Sequence, residues 1–268
     1  MTKTPFVLTI AGNEATGGAG ALADVKTFQA LGVSSSLALT CIVAFDPNNT
    51  WDHRFMPVPA SMIHDQLEAV HAAYDLDAVK IGMLGTPETI ETVAKFLSEH
   101  KPKNLVLDPV LICKGQEPGA ALDTDNSLKE HILPLATFIT PNHFESLSLS
   151  GMEKIETTDD LIEAAKRIHE KSGAAVLAKG SIRLDGENAI DVFYDGQTLE
   201  ILETPKLADG VAVAGAGCSL ASAVAAELAK GATPLEAAKA AKKFVTAGIE
   251  NRVESNAPFD SLRQINQK

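Results

Sequence analysis

The feature that most constrains this chain is the alternation of two periods. Short apolar runs read as strands: Phe6–Ala11, Ser36–Ala44, Ala78–Ile81, Leu105–Leu107, Thr137–Ile139, Ala175–Ala178 and Ala189–Phe193. Between them, Ala19–Leu31, Pro59–Ala73, Pro87–His100 and Asp159–Glu170 repeat their apolar residues at helical spacing. Apolar strands separated by helices predict an α/β fold, a mostly parallel sheet covered on both faces. The C-terminal part reads as helix. Cys218–Lys230 stops at Gly231, and Thr233-Pro-Leu-Glu236 is a capping box that opens a helix to about Glu250. Asp195-Gly196 marks a two-residue turn in a hairpin within Val192–Leu202.

The 268 residues show no repeat, low-complexity segment or compositional break, so one domain over 1–268 is expected. The net charge of −12 argues against nucleic-acid and anionic-membrane partners. It leaves room for a local phosphate site at a helix N-terminus. The three cysteines, Cys41, Cys113 and Cys218, form no CxxC pair, which speaks against a disulfide framework or structural zinc. The first residues lack a signal-peptide pattern, and no run reaches the ~18 apolar residues of a membrane span. A cytoplasmic protein is expected.

Ligands in such sheets bind beyond the carboxyl ends of strands. The loops there are Gly12–Gly20, Phe45–His53, Gly82–Leu84, Asp108–Gly115, Thr140–Glu145, Lys179–Gly180 and Gly215–Cys218. Gly215-Ala-Gly-Cys218 opens a helix, where converging N–H groups and the helix dipole suit a phosphoryl group. A thiol at that position is expected to fall below its free pKa of about 8.5. A plain tight turn with a structural cysteine explains the same residues equally well. No GxxxxGK[ST] occurs, so any nucleotide is not held by a P-loop.

Six motifs then occur in order: Thr9-Ile-Ala-Gly12 with Thr16-Gly-Gly-Ala-Gly20, Asp24-Val-Lys-Thr27, Val79-Lys-Ile-Gly-Met-Leu84, Leu107-Asp-Pro-Val110, Thr140-Pro-Asn-His-Phe-Glu145 and Gly215-Ala-Gly-Cys218. Together they resemble the hydroxymethylpyrimidine kinase branch of the ribokinase-like superfamily, over nearly the whole chain. Ile42–His53 and Val110–Gly115 are most similar to a dual-cysteine subgroup of that branch, the bacterial pyridoxal kinases.

The resemblance implies a three-layer α/β/α fold and ATP-dependent phosphorylation of the hydroxymethyl group of pyridoxal, pyridoxine or pyridoxamine. It implies ATP and Mg2+ as cofactors, K+ as a further candidate, and a homodimer. Cys218 with Gly215, Ala216 and Gly217 would form the anion hole. Cys113, in a lid, would add reversibly to the aldehyde of pyridoxal. Asn142, Lys179 and Gly180 would join Gly215 and Gly217 around ATP, and Asp108 and Glu145 would serve the metal. Asp24, Val43, Phe45, His53, Met83 and Val110 would shape the substrate pocket. Phe45 stands where pyrimidine kinases carry a ring-reading Gln, whose hydrogen bond it cannot make.

Two stretches depart from the family pattern: Gly12-Asn13-Glu14 replaces Gly-Ser-Asp, and Val213-Ala214 replaces Thr-His. Alternatives are a hydroxymethylpyrimidine (phosphate) kinase, a vitamin-binding protein without catalysis, and a sugar kinase, which usually carries Asp at the position of Cys218. Plainer readings make His53 a surface residue, Cys41 inert core, Pro234–Ala247 a packing or dimer helix, and Lys242-Lys243 a solvated face.

Overall fold

The computed structural model describes residues 3–111, 118–207 and 212–265. Eleven strands and eight α-helices are described: β1 Phe6–Glu14, α1 Gly20–Ala30, β2 Ser34–Asp46, β3 Asp52–Pro57, α2 Ala60–Ala73, β4 Ala78–Ile81, α3 Pro87–His100, β5 Leu105–Leu107, α4 Pro118–His131, β6 Phe138–Ile139, α5 His143–Ser150, α6 Thr158–Ser172, β7 Ala175–Ser181, β8 Asn188–Tyr194, β9 Leu199–Pro205, β10 Val213–Ala214, α7 Ala216–Ala229, α8 Pro234–Glu250 and β11 Asp260–Ser261. A nine-stranded sheet runs β3-β2-β1-β4-β5-β6-β7-β8-β9. It is parallel from β2 to β7, while β3, β8 and β9 attach antiparallel at its edges.

Alternation along the strands makes two cores. Val7, Ala78, Val106, Phe138 and Leu177 face a layer of α1, α7 and α8. Leu8, Val79, Leu105, Leu107 and Val176 face α2, α3, α4 and α6. A fully buried Phe28 or Phe138 contributes on the order of 2 kcal/mol to this burial. The α/β/α layering expected from the sequence is the one observed.

Several local expectations are revised. β1 runs through Gly12 to Glu14 because Asn13 and Glu14 pair with Ile42 and Val43 beyond a bulge. The segment Phe45–His53 is not all loop: it turns at residues 47–51 and returns as β3, with Phe45 paired to His53. The Asp195-Gly196 turn has four residues, and Asp195 Oδ1 accepts the N–H groups of Gln197 and Thr198. Pro118–His131, too polar to read as a helix from its sequence, forms α4. The capping box at Thr233 and Glu236 forms as expected. Among the described residues, no helix is long and apolar enough to cross a membrane.

One charged contact lies inside this frame. Lys80, on a strand whose four residues are all buried, pairs with Asp24 of α1 at 2.8 Å, and both side chains are 0% exposed. Asp24 Oδ2 also accepts the Thr9 hydroxyl at 2.7 Å, and Oδ1 accepts the Ser222 hydroxyl at 2.8 Å. Removing one member of such a pair strands the other charge without solvent, at a cost of about 3–5 kcal/mol. Lys80→Met alone is therefore expected to lower the urea midpoint by that equivalent, and an unshifted midpoint would contradict this description of the core.

Candidate active site

A cleft of about 770 Å³ opens along the carboxyl ends of the central strands. Its walls include Asp108, Val110, Asn142, Glu145, Lys179, Gly180, Gly215, Ala216, Gly217 and Cys218. These ten come from four separate stretches of sequence, and each is delivered by the end of a strand or the start of a helix. Asp108 follows β5, Asn142 and Glu145 open α5 beyond β6, Lys179 and Gly180 lie in β7, and Gly215–Cys218 link β10 to α7.

The start of α7 is held by close backbone packing. Gly215 has φ +81°, and a Cβ there would stand 1.9 Å from the Gly18 carbonyl oxygen, so no side chain fits. A Cβ on Gly217 would stand 3.4 Å from Lys179 Nζ and 3.9 Å from Asp108 Oδ2. The helix N-terminus, the ammonium and the carboxylate thus meet at one place. Lys179 Nζ lies 3.4 Å from Asp108 Oδ1. Burial works against the Lys179 charge, but Asp108, Glu145 and Asp191 outweigh it and raise its pKa.

The two residues that depart from the family pattern fix the neighbouring loop. Asn13 Oδ1 accepts Leu22 N–H in the first turn of α1. The buried Glu14 carboxylate accepts the Gly17 N–H and the Thr16 hydroxyl. This loop lies against the start of α7, where the Gly20 N–H points at the Cys218 sulfur. Val213-Ala214, the second departure, forms β10 and pairs with β11.

The expected depression of the Cys218 pKa is not what the structure gives. Although the residue keeps partial exposure, burial of the thiol pushes it up to about 11, helped by Asp108 and Asp24, while Lys80 and the Gly20 N–H only partly oppose this. Desolvation of the sulfur is the larger effect, and the nearby carboxylates add to it. Cys218 is therefore a thiol near neutral pH in the ligand-free protein, not a thiolate. Cys41 is buried beside Met83, and desolvation holds its thiol at about 11, in keeping with inert core.

Glu145 and Asn142 form a capping box: Asn142 Oδ1 accepts Glu145 N–H at 2.9 Å, and Glu145 Oε2 accepts Asn142 N–H at 2.7 Å. Burial pushes the Glu145 carboxyl up to about 8, with Asp108 and Asp125 adding to it and Lys179 opposing. Asp125 of α4 is itself raised to about 6 by burial.

The substrate-side residues divide. Val43, Phe45 and His53 lie on the β2–β3 hairpin, where the Phe45 ring meets those of His53 at 4.6 Å and Phe259 at 5.1 Å. His53 is thus part of an aromatic cluster and not a lone surface residue. Met83 follows β4, and its carbonyl accepts the Thr40 hydroxyl and the Gly12 N–H. Of the six residues expected around the substrate, only Val110 is among the walls of this cleft. Asp24 has no exposed surface, and both carboxylate oxygens are bonded within the protein. Cys113 lies outside the described residues.

Three residues that the sequence reading left without a role stand at the site. Lys80 lies beneath it. Phe259 completes the aromatic cluster. Lys242 is not on a solvated face: it is 7% exposed, and Nζ bonds Asp191 Oδ2 at 2.8 Å at the far end of the cleft. Asp191 Oδ1 in turn accepts the N–H of Ser181, which has φ +51°. Two of these were visible in the sequence. A lysine in the apolar run Ala78–Ile81 demands a buried counter-ion, and Lys242 falls at helical spacing from Ala238 and Val245, both core residues.

The layered α/β/α sheet carries a polar cleft at its strand ends, where such sheets bind ligands, and comparison with known proteins gives the class, a phosphotransferase. Residues 14–262 match the family model described as phosphomethylpyrimidine kinase, and the chain belongs to that family. It is 47% identical over 249 residues to the pyridoxine kinase of Bacillus subtilis, covering 93% of this chain and 92% of that protein. An ADP complex of Bacillus subtilis pyridoxal kinase superposes with a TM-score of 0.90 at 44% identity, covering 98% of both chains. The Staphylococcus aureus pyridoxal kinase in complex with AMP-PCP and pyridoxal gives 0.89 at 37% identity, over 98% of this chain and 94% of that one.

The raised Glu145 pKa has a consequence for stability. Between about 4.5 and about 8 the folded protein holds a proton there that the unfolded chain has lost. Stability therefore falls across this window as pH rises, by on the order of a few kcal/mol from this group. In thermal melts of ligand-free protein, Glu145→Gln, which keeps the cap, should gain on wild type as pH rises from 5 to 8. A constant difference would contradict the assignment.

Proposed function

We propose that the protein is a cytoplasmic ATP-dependent kinase for the 5'-hydroxymethyl group of pyridoxal, and of pyridoxine and pyridoxamine, acting in vitamin B6 salvage. The reading is carried by the meeting of the α7 N-terminus, Cys218, Lys179 and Asp108 in one cleft of a chain so similar to pyridoxal kinases.

ATP phosphates lie against Lys179, Gly180 and the N–H groups of Gly215–Gly217. The vitamer ring lies toward Phe45, His53, Met83 and Val110, with its hydroxymethyl oxygen at Cys218. The oxygen attacks the γ-phosphorus as the bond to the ADP oxygen breaks. Such loose transition states need positioning and charge neutralisation more than a strong base. A neutral Cys218 thiol suits this: it orients the hydroxymethyl oxygen by hydrogen bonding, and the hydroxyl proton passes to an oxygen of the transferred phosphoryl group as the new bond forms.

Asp108 and Glu145 offer oxygen donors of the kind Mg2+ takes, and one or two carboxylates plus substrate phosphates are its usual set. Among the described residues no group of three His, Cys, Asp or Glu could hold a metal by itself, which fits an ion that arrives with the nucleotide. When bound, Mg2+ supplies neutralisation of phosphate charge; K+ is a second candidate. Cys113 stays in the proposal on its sequence context, as the thiol that adds to the aldehyde.

The family model itself raises a second reading, phosphorylation of hydroxymethylpyrimidine and its phosphate. Phe45 counts against it, because its ring packs against aromatic neighbours and carries no group that could hydrogen-bond a pyrimidine. Pyridoxal, pyridoxine and the pyrimidine alcohol assayed side by side decide between the two. Cys218→Ala should lower kcat for each by about 10²–10³, the scale of losing a transition-state donor. Cys113→Ala should lower kcat/KM for pyridoxal at least about tenfold more than for pyridoxine, a loss of aldehyde-specific binding. Equal losses would remove the aldehyde-trapping role.

A homodimer belongs to the same proposal. Ile42 and Met56 are cross-strand partners at the sheet edge, and both are exposed, 48% and 64%. Sedimentation should show a dimer in wild type and a monomer in Met56→Glu; a monomeric wild type would contradict it.

A further inference from the structure

Lys80 has no part in the chemistry described above, yet it is among the largest fully buried side chains of the protein. A buried ion pair is a poor device for stability, since apolar replacements of both members are often neutral or stabilising. The position of this one indicates a different use. Lys80 Nζ lies 2.8 Å from where a Cβ on Gly82 would stand, directly under the turn that leads to Met83. Its partner Asp24 accepts the Ser222 hydroxyl at 2.8 Å. Ser222 is one helical turn beyond Cys218, on the same face of α7. Lys80 acts electrostatically on both Cys218 and Asp108. A fixed charge without water around it acts more strongly than one at a surface and needs no reorganisation during reaction.

We infer that Lys80 is a positioning residue for phosphoryl transfer: clamped by Asp24, it fixes a positive charge behind Cys218, while the Asp24–Ser222 bond sets the rotation of α7 that turns Cys218 toward the cleft. The inference rests on the proposed role of Cys218 and goes beyond it by giving the thiol a buried support. It also accounts for Asp24, which the sequence placed against the substrate and the structure places one layer below.

The test compares wild type, Lys80→Met/Asp24→Asn and Ser222→Ala as full-length proteins, with Cys218→Ala as the reference for loss. The double variant removes both charges together and should fold, with a melting temperature within about 5 °C of wild type. Its kcat with ATP, Mg2+ and pyridoxal should fall at least about tenfold, with both KM values within about threefold, the pattern of an interaction felt in the transition state. Ser222→Ala should lower kcat about two- to fivefold with the same KM values. Labelling of Cys218 by iodoacetamide, followed by mass spectrometry without substrate, should slow at least about threefold in the double variant, because the loss of Lys80, which favours the thiolate, outweighs the loss of Asp24, which opposes it.

A folded double variant with wild-type kcat and labelling overturns the inference, as does a change confined to KM. If the double variant does not fold, Ser222→Ala decides: an unchanged kcat and labelling rate overturns it. Failure of wild type to phosphorylate any vitamer would instead remove the functional reading, and the labelling rates would still judge Lys80.

Discussion

The arrangement of this protein turns on a carboxylate with no access to water. Asp24 binds Thr9 of β1, Lys80 of β4 and Ser222 of α7 while belonging to α1. Four elements of the central frame are thus tied at one buried point. The point matters because α7 carries Cys218 on its first turn. A helix packed only through alanines, as much of α7 is, has little shape to fix its rotation about its own axis. Directional hydrogen bonds to a charged partner supply that missing specificity, at the cost of desolvating two ions.

From this point the electrostatics of the cleft follow. The chain carries a net charge of −12, yet the cleft must accept a triphosphate. On the proposed reading it does so by local means: Lys179 beside Asp108, the N–H groups at the start of α7, and Lys80 below them. The carboxylates set against these cations hold Lys179 charged, while burial, with the carboxylates adding to it, pushes Glu145 and Cys218 toward their protonated forms. The ligand-free site is thus a mixed cluster in which a cation and phosphates would redistribute the protons. That view fits a reaction driven by placement and charge neutralisation rather than by a strongly basic side chain.

The layers, the parallel centre of the sheet and the strand-end loops were legible because each rests on a periodicity of two or of about 3.6 residues. The residues of the cleft were legible for a related reason, since strand ends are where such sheets bind ligands. What escaped depends on contacts distant in sequence. Nothing local in Asp52–Pro57 says that it pairs back on β2, and nothing in the short Val213–Ala214 says that Asp260–Ser261 will join it. Phe259 reaches Phe45 only through that C-terminal return. The Cys218 pKa escaped for the same cause: its position on a helix is local, but the burial that raises it, and the carboxylates of α1 and the end of β5 that add to it, come from distant segments. Asp24 was matched by motif to the substrate, and only its buried partners reveal it as support.

The central claim is that phosphoryl transfer occurs where Gly215–Cys218, Lys179 and Asp108 meet. A crystal structure of this protein with AMP-PCP, Mg2+ and pyridoxal tests it most directly. The account predicts the γ-phosphate against the N–H groups of Gly215–Gly217, with the hydroxymethyl oxygen of pyridoxal between it and the Cys218 sulfur. Nucleotide or vitamer bound away from that turn, or a hydroxymethyl group directed away from the γ-phosphorus, would contradict it.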